Sequence, residues 1–309
     1  MMNRAWRTFI LAVAAATVFT ACWPVVPPGP NLRAAICAGT ATASSSAPLA
    51  NPALTEVSGI VASRTQSDVW YAHNDSGDTN RFFAFNSVGT PLATFTVTGA
   101  GAVDWEDIAI GPGPTPGVQY IYLADIGDNS STRPSVQVYR IAEPTVPANN
   151  GTYALGGVDT LHLQYPGGPR DSEALIVDPR NGRLTLIEKK LTGGSVGIYR
   201  APANLANGTT TAMTRVATLP LSQGLANAVT GADMSSDAQV IVVRTYGLVR
   251  AYQVSYPQLT TVEASLLTTS CNRAVAGEIQ GEAVGIRANN GGLVTVAEGT
   301  NPTLHFLDA

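Results

Sequence analysis

Charged and reactive side chains are scarce in this sequence. Only 13% of its 309 residues are charged, the formal net charge is −4, and no run of basic residues occurs. We therefore expect no nucleic-acid partner. The sequence has three histidines and lacks a G-x-S-x-G nucleophile motif, a P-loop, a dinucleotide-binding fingerprint and a zinc-ligand cluster. The sequence therefore gives no indication of serine-hydrolase, nucleotide-dependent or zinc chemistry of the usual kinds.

A short apolar run follows two basic residues at the N-terminus. Residues 9–19 follow Arg4 and Arg7, a pattern typical of a secretory signal over residues 1–21, and the run is shorter than the ~20 residues that span a bilayer. The junction before Cys22 resembles the lipobox of bacterial lipoproteins, with Phe19 where leucine is usual. The resemblance implies a lipid on Cys22. Cleavage with release, or an uncleaved anchor, are the alternatives.

Proline is frequent just after this junction, in WPVVPPGP at residues 23–30. Because proline fixes φ and removes backbone donors, residues 22–35 are predicted to form a stiff stalk. Residues 36–309 are predicted to form one domain. We expect an exported monomer that is held at the outer face of the membrane by its lipid anchor alone, or that is secreted.

The three cysteines are Cys22, Cys37 and Cys271. If Cys22 takes the lipid, the other two form an even pair in an oxidising compartment. A disulfide between Cys37 and Cys271 is then the expected state.

The rest of the chain has the pattern of a many-stranded β protein. Thirty glycines and twenty prolines separate short runs rich in Val, Ile, Leu, Thr and Tyr. A strand–turn–strand pattern recurs five times, with first strands near residues 58, 106, 173, 231 and 281, and most repeats continue into a third and fourth strand. This is a four-stranded meander repeated, which predicts an all-β fold, a β-propeller of five blades, with six as the alternative.

Two strands of this propeller are predicted from less regular sequence. The last repeat ends after its third strand, so residues 36–43, which include Cys37, are predicted to supply the missing outer strand. Residues 261–267, TVEASLL, are predicted to form the outer strand of the fourth blade. Cys271 follows that segment, so the disulfide would lie near the point where the ring closes.

Carboxylates recur where inner strands begin and second strands end. In a propeller these positions meet at one end of the central channel, which we call the top face. Like charges there raise one another's pKa or recruit a cation, and oxygen ligands favour calcium. Asx-turns or direct catalytic roles are the alternatives. The candidate metal ligands are Asp75, Asp78, Asp104, Glu106, Asp107, Asp125, Asp128, Asp171, Glu173, Glu282 and Glu298.

Other polar and aromatic residues are expected at the same end of the channel. We predict that they contact a ligand there, although a structural role for the histidine and packing between blades for the tryptophan are alternatives. These candidate binding residues are His73, Asn74, Trp105, Arg170, Lys189 and Arg244.

Several strings in these repeats resemble those of secreted bacterial β-propellers, including the phytase-like propeller group. They are SGIVAS (58–63), WYAHNDSGD (70–78), DWEDIAIGPG (104–113), YLADIGDN (122–129), RDSEALIVDP (170–179) and QGEAV (280–284). The similarity covers most of residues 55–309 and implies an acidic top face that binds calcium. The basic residues available to contact a polyphosphate are few, namely Lys189, Lys190, Arg170 and Arg244.

Three functional hypotheses remain at this point. The first is an extracytoplasmic propeller that binds an unidentified ligand or envelope partner through an acidic top face. The second is a calcium-dependent hydrolase of phosphoesters or other esters. The third is a structural module whose acidic residues are only solvated. The sequence leaves open whether the protein is an enzyme.

Overall fold

The structure is a computed structural model that describes residues 31–147, 149–254, 261–275 and 277–309. The signal, Cys22 and most of the proposed stalk lie outside these residues, so the predictions made for them stay predictions. Among the described residues, no helix is both long and apolar enough to cross a membrane.

Five separate sheets form the five blades, which confirms the predicted five-bladed propeller. Blade 1 contains β2 (Val57–Ala62), β3 (Trp70–Asn74), β4 (Arg81–Phe85), β5 (Pro91–Val97) and β9 (Gly151–Leu155). Blade 2 contains β6 (Trp105–Pro112), β7 (Gln119–Asp125), β8 (Val136–Ala142), β10 (Asp159–Gln164) and β14 (Thr210–Ala212). The strands β9 and β14 pair in parallel with β5 and β10, so the insertion at 144–160 widens a blade and adds no sixth one.

The other three blades have four strands each. Blade 3 contains β11 (Ser172–Val177), β12 (Leu184–Glu188), β13 (Gly193–Arg200) and β15 (Thr214–Gln223), and a 3₁₀ helix (Leu225–Asn227) follows it. Blade 4 contains β16 (Val229–Met234), β17 (Val240–Thr245), β18 (Leu248–Gln253) and β19 (Cys271–Ala274). Blade 5 contains β20 (Gly281–Ile286), β21 (Gly292–Ala297), β22 (Thr303–Asp308) and β1 (Thr42–Pro48).

Apolar layers between neighbouring blades hold the ring together. Side chains of a strand alternate between its two faces, so one inner strand supplies two layers. In β11, Ala174 and Ile176 pack towards blade 4, whereas Leu175 and Val177 pack towards blade 2. The inner strands β2, β11, β16 and β20 are buried along their whole length for this reason.

The N-terminal segment closes the ring through β1, which pairs antiparallel with β22. The prediction of an N-terminal closing strand is confirmed, but its predicted bounds, 36–43, are wrong. Cys37 lies in helix α1 (Leu32–Ala38), which begins at Asn31 and ends at Gly39, a residue with φ 71°. The buried pair Leu32 and Ile36 is spaced for one face of a helix, and this face packs against blades 4 and 5.

The predicted outer strand at 261–267 is also wrong. Val262–Leu266 form helix α2, whose first turn is capped by Thr261, because its side chain accepts a hydrogen bond from the Ala264 N–H at 3.3 Å. Val262 and Leu266 are buried against blades 3 and 4, and their spacing of four residues suits a helix. The outer strand of blade 4 is β19 instead.

The predicted disulfide between Cys37 and Cys271 is confirmed. The two Cα atoms are 5.1 Å apart, and the bond closes a loop across 234 positions of sequence. It joins α1 to the first residue of β19, so it ties the segment that closes blade 5 to blade 4. A cross-link over so long a loop stabilises the fold mainly by restricting the unfolded chain.

Candidate metal centre

The top face is built from five equivalent β-bulges. In each blade the pairing of the first two strands shifts register near the start of the inner strand, which leaves one extra residue there. A bulge turns the extra side chain away from its regular direction. The extra residues of blades 1 to 5 are Ser58, Glu106, Glu173, Thr230 and Glu282.

A second set of equivalent positions directly follows the second strand of each blade. These positions also lie at the top face, because second strands run antiparallel to inner strands. Blade 2 places the apolar Ile126 there, and the other four blades place polar or aromatic residues. The residues of blades 1, 3, 4 and 5 are Asp75, Lys189, Tyr246 and Glu298.

Six carboxylates from four blades converge between these two sets of positions. Three groups have ligand oxygens that all lie within 4.8 Å of one another: Glu106–Glu173–Glu282, Asp75–Asp104–Glu106 and Asp75–Glu282–Glu298. Neighbouring groups share members, so the six residues form one site, which we call the acidic cluster. The three glutamates at bulge positions are buried, whereas Asp75, Asp104 and Glu298 are partly exposed.

Gly127, in the loop after β7, leaves room for two of these carboxylates. A Cβ atom at Gly127 would lie 2.1 Å from Oε1 of Glu106 and 2.4 Å from Oδ2 of Asp104. Both distances are far shorter than van der Waals contact, so any larger residue would displace the two carboxylates. The glycine of the DIGDN string is therefore part of the site.

One protein cation already lies in the acidic cluster. The ammonium of Lys189 forms an ion pair with Glu173, lies 3.9 Å from Oε1 of Glu282, and lies 5.4 Å from the ring centroid of Tyr246. The Tyr246 hydroxyl donates to Oε1 of Glu282 at 3.2 Å. These contacts use one oxygen of each glutamate. Oε2 of Glu173 is buried and has no hydrogen-bond partner among the described residues, and such an atom costs free energy unless a ligand contacts it.

Burial and neighbouring carboxylates raise the pKa values of several carboxyls in the acidic cluster. Burial raises the pKa of Glu106 and of Glu173 well above the usual range, and neighbouring carboxylates add to the rise in the pKa of Glu106. Burial and the Glu298 carboxylate raise the pKa of Glu282 to about 8, and burial with Asp75 raises the pKa of Asp104 to about 6. Without a bound cation, part of the acidic cluster is therefore protonated at neutral pH.

These raised pKa values predict an unusual pH dependence of stability. Between the ordinary pKa of a glutamate and about 8, the folded state binds more protons than the unfolded state, so stability falls as pH rises. In chelator, the melting temperature should fall between about pH 5 and about pH 8, and saturating calcium should remove most of that fall. Calorimetry at several pH values measures both slopes. A cation-free protein whose stability rises over this range would contradict the assignment.

Four of the candidate metal ligands have other partners and lie outside the three groups. Asp78 pairs with Arg81, and Asp125 pairs with Arg133 and accepts the N–H groups of Val103 and Asp104. Asp128 accepts the N–H groups of Thr132 and Arg133, and Asp171 accepts that of Asp128. These contacts hold the loops that surround the acidic cluster.

Asp107 lies one residue deeper than the bulge of blade 2 and joins three blades. Its Oδ2 accepts the N–H of Leu175 at 2.8 Å and that of Ala232 at 3.2 Å, in the inner strands of blades 3 and 4. It is fully buried and belongs to none of the three groups. Its contacts hold the inner strands together.

Most of the predicted binding residues are interior. His73 is fully buried with Nδ1 2.9 Å from the Asn74 carbonyl, its ring packs edge-on against Trp105, and burial lowers its pKa, so it is neutral. Asn74 accepts the N–H groups of Thr55 and Glu56, and Trp105 donates to the Gly101 carbonyl. All three side chains are thus held by contacts within the protein, and Nε2 of His73 has no hydrogen-bond partner among the described residues.

The three basic candidates differ in exposure. Arg244 is fully buried, where it donates to the Ala283 carbonyl and pairs with Glu278. Arg170 is partly exposed, with Nε 3.9 Å from Oε1 of Glu188. It lines a cavity of about 350 Å³ beside the acidic cluster, together with Lys189 and Lys190.

All six members of the acidic cluster are among the metal ligands predicted from the sequence, whereas Tyr246, Thr230 and Gly127 were not predicted to belong to the site. Thr230 donates to the Gly281 carbonyl and so links blades 4 and 5. The signal for Thr230 and Tyr246 was positional, because each occupies in blade 4 the place that a charged residue occupies in another blade. Nothing in the sequence marked Gly127 beyond its place in a Gly-Asp turn.

Comparison with known proteins identifies no family for this chain. No protein-family model matches the sequence, and no curated protein is similar to it at a significant level. Among solved structures, the chain is similar to the PQQ-bound form of aldose sugar dehydrogenase from Streptomyces coelicolor, with 11% identity and a TM-score of 0.43, over 86% of this chain and 98% of that chain. This degree of likeness supports no argument about ligand or activity.

Proposed function

We propose that this protein is an extracytoplasmic β-propeller that binds a calcium ion in its acidic cluster and, through it, a ligand at the top face. The observation that carries the proposal is the convergence of three buried glutamates from equivalent bulges of different blades. Burying like charges together is costly unless a cation neutralises them. Lys189 alone cannot neutralise six carboxylates.

The donor set fits calcium better than other common metals. All six candidate ligands are carboxylates, and calcium takes six to eight oxygen ligands with flexible geometry, whereas magnesium usually keeps several waters. Zinc and copper prefer nitrogen and sulfur ligands, and the three groups contain neither histidine nor cysteine. The free Oε2 of Glu173 is a donor ready for such an ion.

The ligand would approach from the exposed side of the acidic cluster. Asp75, Asp104 and Glu298 are partly exposed, so an ion held there keeps coordination positions open towards solvent. The charged residues that line the adjacent cavity of about 350 Å³ are Arg170, Lys189, Lys190, Asp171 and Glu188, and this mixture of donors and acceptors suits a hydroxyl-rich group of the ligand. The disulfide supports an oxidising, extracytoplasmic location, and the signal peptide and lipid anchor remain part of the proposal.

The second candidate function is a calcium-dependent hydrolase of phosphoesters or other esters, as the phytase-like resemblance implies. The observation in its favour is that three partly exposed carboxylates lie at the proposed ion site, beside a cavity that is open to a substrate. An ion there would polarise the ester, and the partly exposed Asp104 carboxylate would accept a proton from the attacking water as the leaving oxygen departs. Turnover of a phosphoester or ester substrate that depends on calcium and on Asp104 would favour it over binding alone.

Thermal melts in calcium and in chelator test the cation site. At a hundredfold excess over its dissociation constant, calcium should stabilise the fold by about 2.7 kcal/mol, which for a domain of this size raises the melting temperature by at least about 5 °C. Glu106→Gln should abolish most of this response while the domain stays folded. Asp68→Asn is the matched control, because Asp68 is exposed at the opposite end of β3 and its φ of 53° suits asparagine. Identical melts with and without calcium would overturn the proposal.

A further inference from the structure

The top face carries exposed apolar side chains as well as the acidic cluster. Six large apolar side chains are exposed among the described residues. Four of them lie on loops of the top face: Val103, Leu191, Leu225 and Ile279, which are 61%, 56%, 59% and 85% exposed. The other two, Val88 and Leu267, lie in the β4–β5 turn and after α2.

The position of each of the four follows from its neighbours in sequence. Val103 directly precedes Asp104 of the acidic cluster, and Leu191 follows Lys190. Leu225 lies in the 3₁₀ helix before β16. At the end of this helix, the Ala228 carbonyl accepts a hydrogen bond from the N–H of Tyr246, in the loop after β17. Ile279 lies three residues before Glu282. Loops of different blades therefore place apolar groups on the same face of the propeller as the acidic cluster.

We propose that this face docks a protein partner that inserts a basic side chain into the acidic cluster and covers the four apolar residues. The inference rests on the proposed function only in that binding occurs at the top face, and it goes beyond that function because the partner contacts the carboxylates beside the ion and not the ion itself. Isolated exposed apolar residues are common on protein surfaces, whereas several of them gathered on one face mark an interaction surface. A small molecule seated in the acidic cluster would leave apolar groups on four separate loops in water.

The negative charge of the carboxylates favours a basic side chain on the partner. Lys189 shows how an ammonium is held here, between Glu173 and Glu282 and against the Tyr246 ring. Lys189 and one divalent cation carry three positive charges beside six carboxyl groups, so carboxylates remain to pair with a basic side chain next to the ion. Asp75, Asp104 and Glu298 are the partly exposed carboxylates that remain accessible to the incoming lysine or arginine.

Site-specific photo-crosslinking tests this inference. A benzophenone amino acid replaces Leu225 or Ile279 in the full chain, the cells that export it are irradiated, and mass spectrometry maps the adducts. We expect one discrete protein adduct whose crosslinked peptide carries a lysine or arginine flanked by apolar residues. Asp75→Asn combined with Glu298→Gln should reduce its yield by about tenfold, the loss typical of an interfacial charge contact. The same probe at Val88, 60% exposed, is the control and should give no such adduct.

Each other outcome contradicts the inference. Adducts with lipid, with polysaccharide, with a second copy of this chain or with a protein segment that lacks a basic residue would overturn it, and so would the absence of top-face adducts. An adduct whose yield is unchanged in the charge variants would overturn the role of the acidic cluster. Repeating the experiment in chelator separates this inference from the proposed calcium site, because the basic side chain needs the carboxylates and not the ion.

Discussion

Replacing Lys189 with methionine should lower the free energy of unfolding by about 3–5 kcal/mol in chelator at about pH 8, the cost of breaking a buried ion pair from one side. Lys189 is 8% exposed and Glu173 is 2% exposed at their side chains, so water screens the pair little. Calcium should restore most of the loss, because the vacated space beside Glu173 and Glu282 then accepts the ion. Chemical denaturation of wild type and variant, each with calcium and with chelator, gives the four values needed.

Lys190→Met is the matched control for this prediction. Lys190 is the next residue, but its ammonium donates to the Ser195 carbonyl and lies 3.5 Å from Glu188 with 37% of the side chain exposed. An exposed pair of this kind contributes about 1 kcal/mol or less. Equal losses in the two variants, or a Lys189→Met loss that calcium does not reduce, would show that Lys189 does not share a cation site.

Replacing Arg244 with methionine should also cost about 3–5 kcal/mol, but calcium should not restore it. Arg244 is fully buried between blades 4 and 5, where it pairs with Glu278 and donates to the Ala283 carbonyl at 2.8 Å. Removing it leaves the buried Glu278 carboxylate without its guanidinium, although the Thr295 hydroxyl still donates to Oε1 of Glu278 at 2.8 Å. Denaturant unfolding measures the loss, and Arg215→Met, at an exposed arginine of β15 that donates to Thr218, serves as control.

A small effect of Arg244→Met would contradict this structural role and would restore Arg244 as a candidate ligand-binding residue. The contrast with Lys189 is therefore informative. Both residues are cations near the acidic cluster. Only the carboxylates around Lys189 need a further cation to neutralise them.

The fold could be predicted from the sequence because its strands repeat. Short apolar runs separated by glycine and proline indicate strands wherever both faces of an inner strand are buried, as in β11 and β20. The two errors lie where a repeat was extended by analogy. In both cases two apolar residues four positions apart, Leu32 and Ile36 or Val262 and Leu266, are buried on one face of a short helix.

The acidic cluster could be predicted in outline, because strand starts and strand ends meet at one face of a propeller. Which carboxylates belong to it could not, because that depends on partners distant in sequence. Asp125 and Glu106 look equivalent in the sequence, yet Asp125 pairs with Arg133 and Glu106 meets Glu173 and Glu282. A bulge turns each of the three glutamates towards the channel, and no residue pattern in the sequence predicts these bulges.

Isothermal titration of the metal-free domain with calcium measures whether the acidic cluster holds a calcium ion. We expect at least one ion per chain with a dissociation constant of about 10⁻³ M or tighter, the range of extracellular sites. We also expect that protons are released, more of them at about pH 6 than at about pH 9, because calcium must displace the protons that the raised pKa values retain. The triple variant Glu106→Gln, Glu173→Gln and Glu282→Gln should bind no calcium. A wild-type domain that shows no binding, or a triple variant that binds as wild type does, would contradict the account.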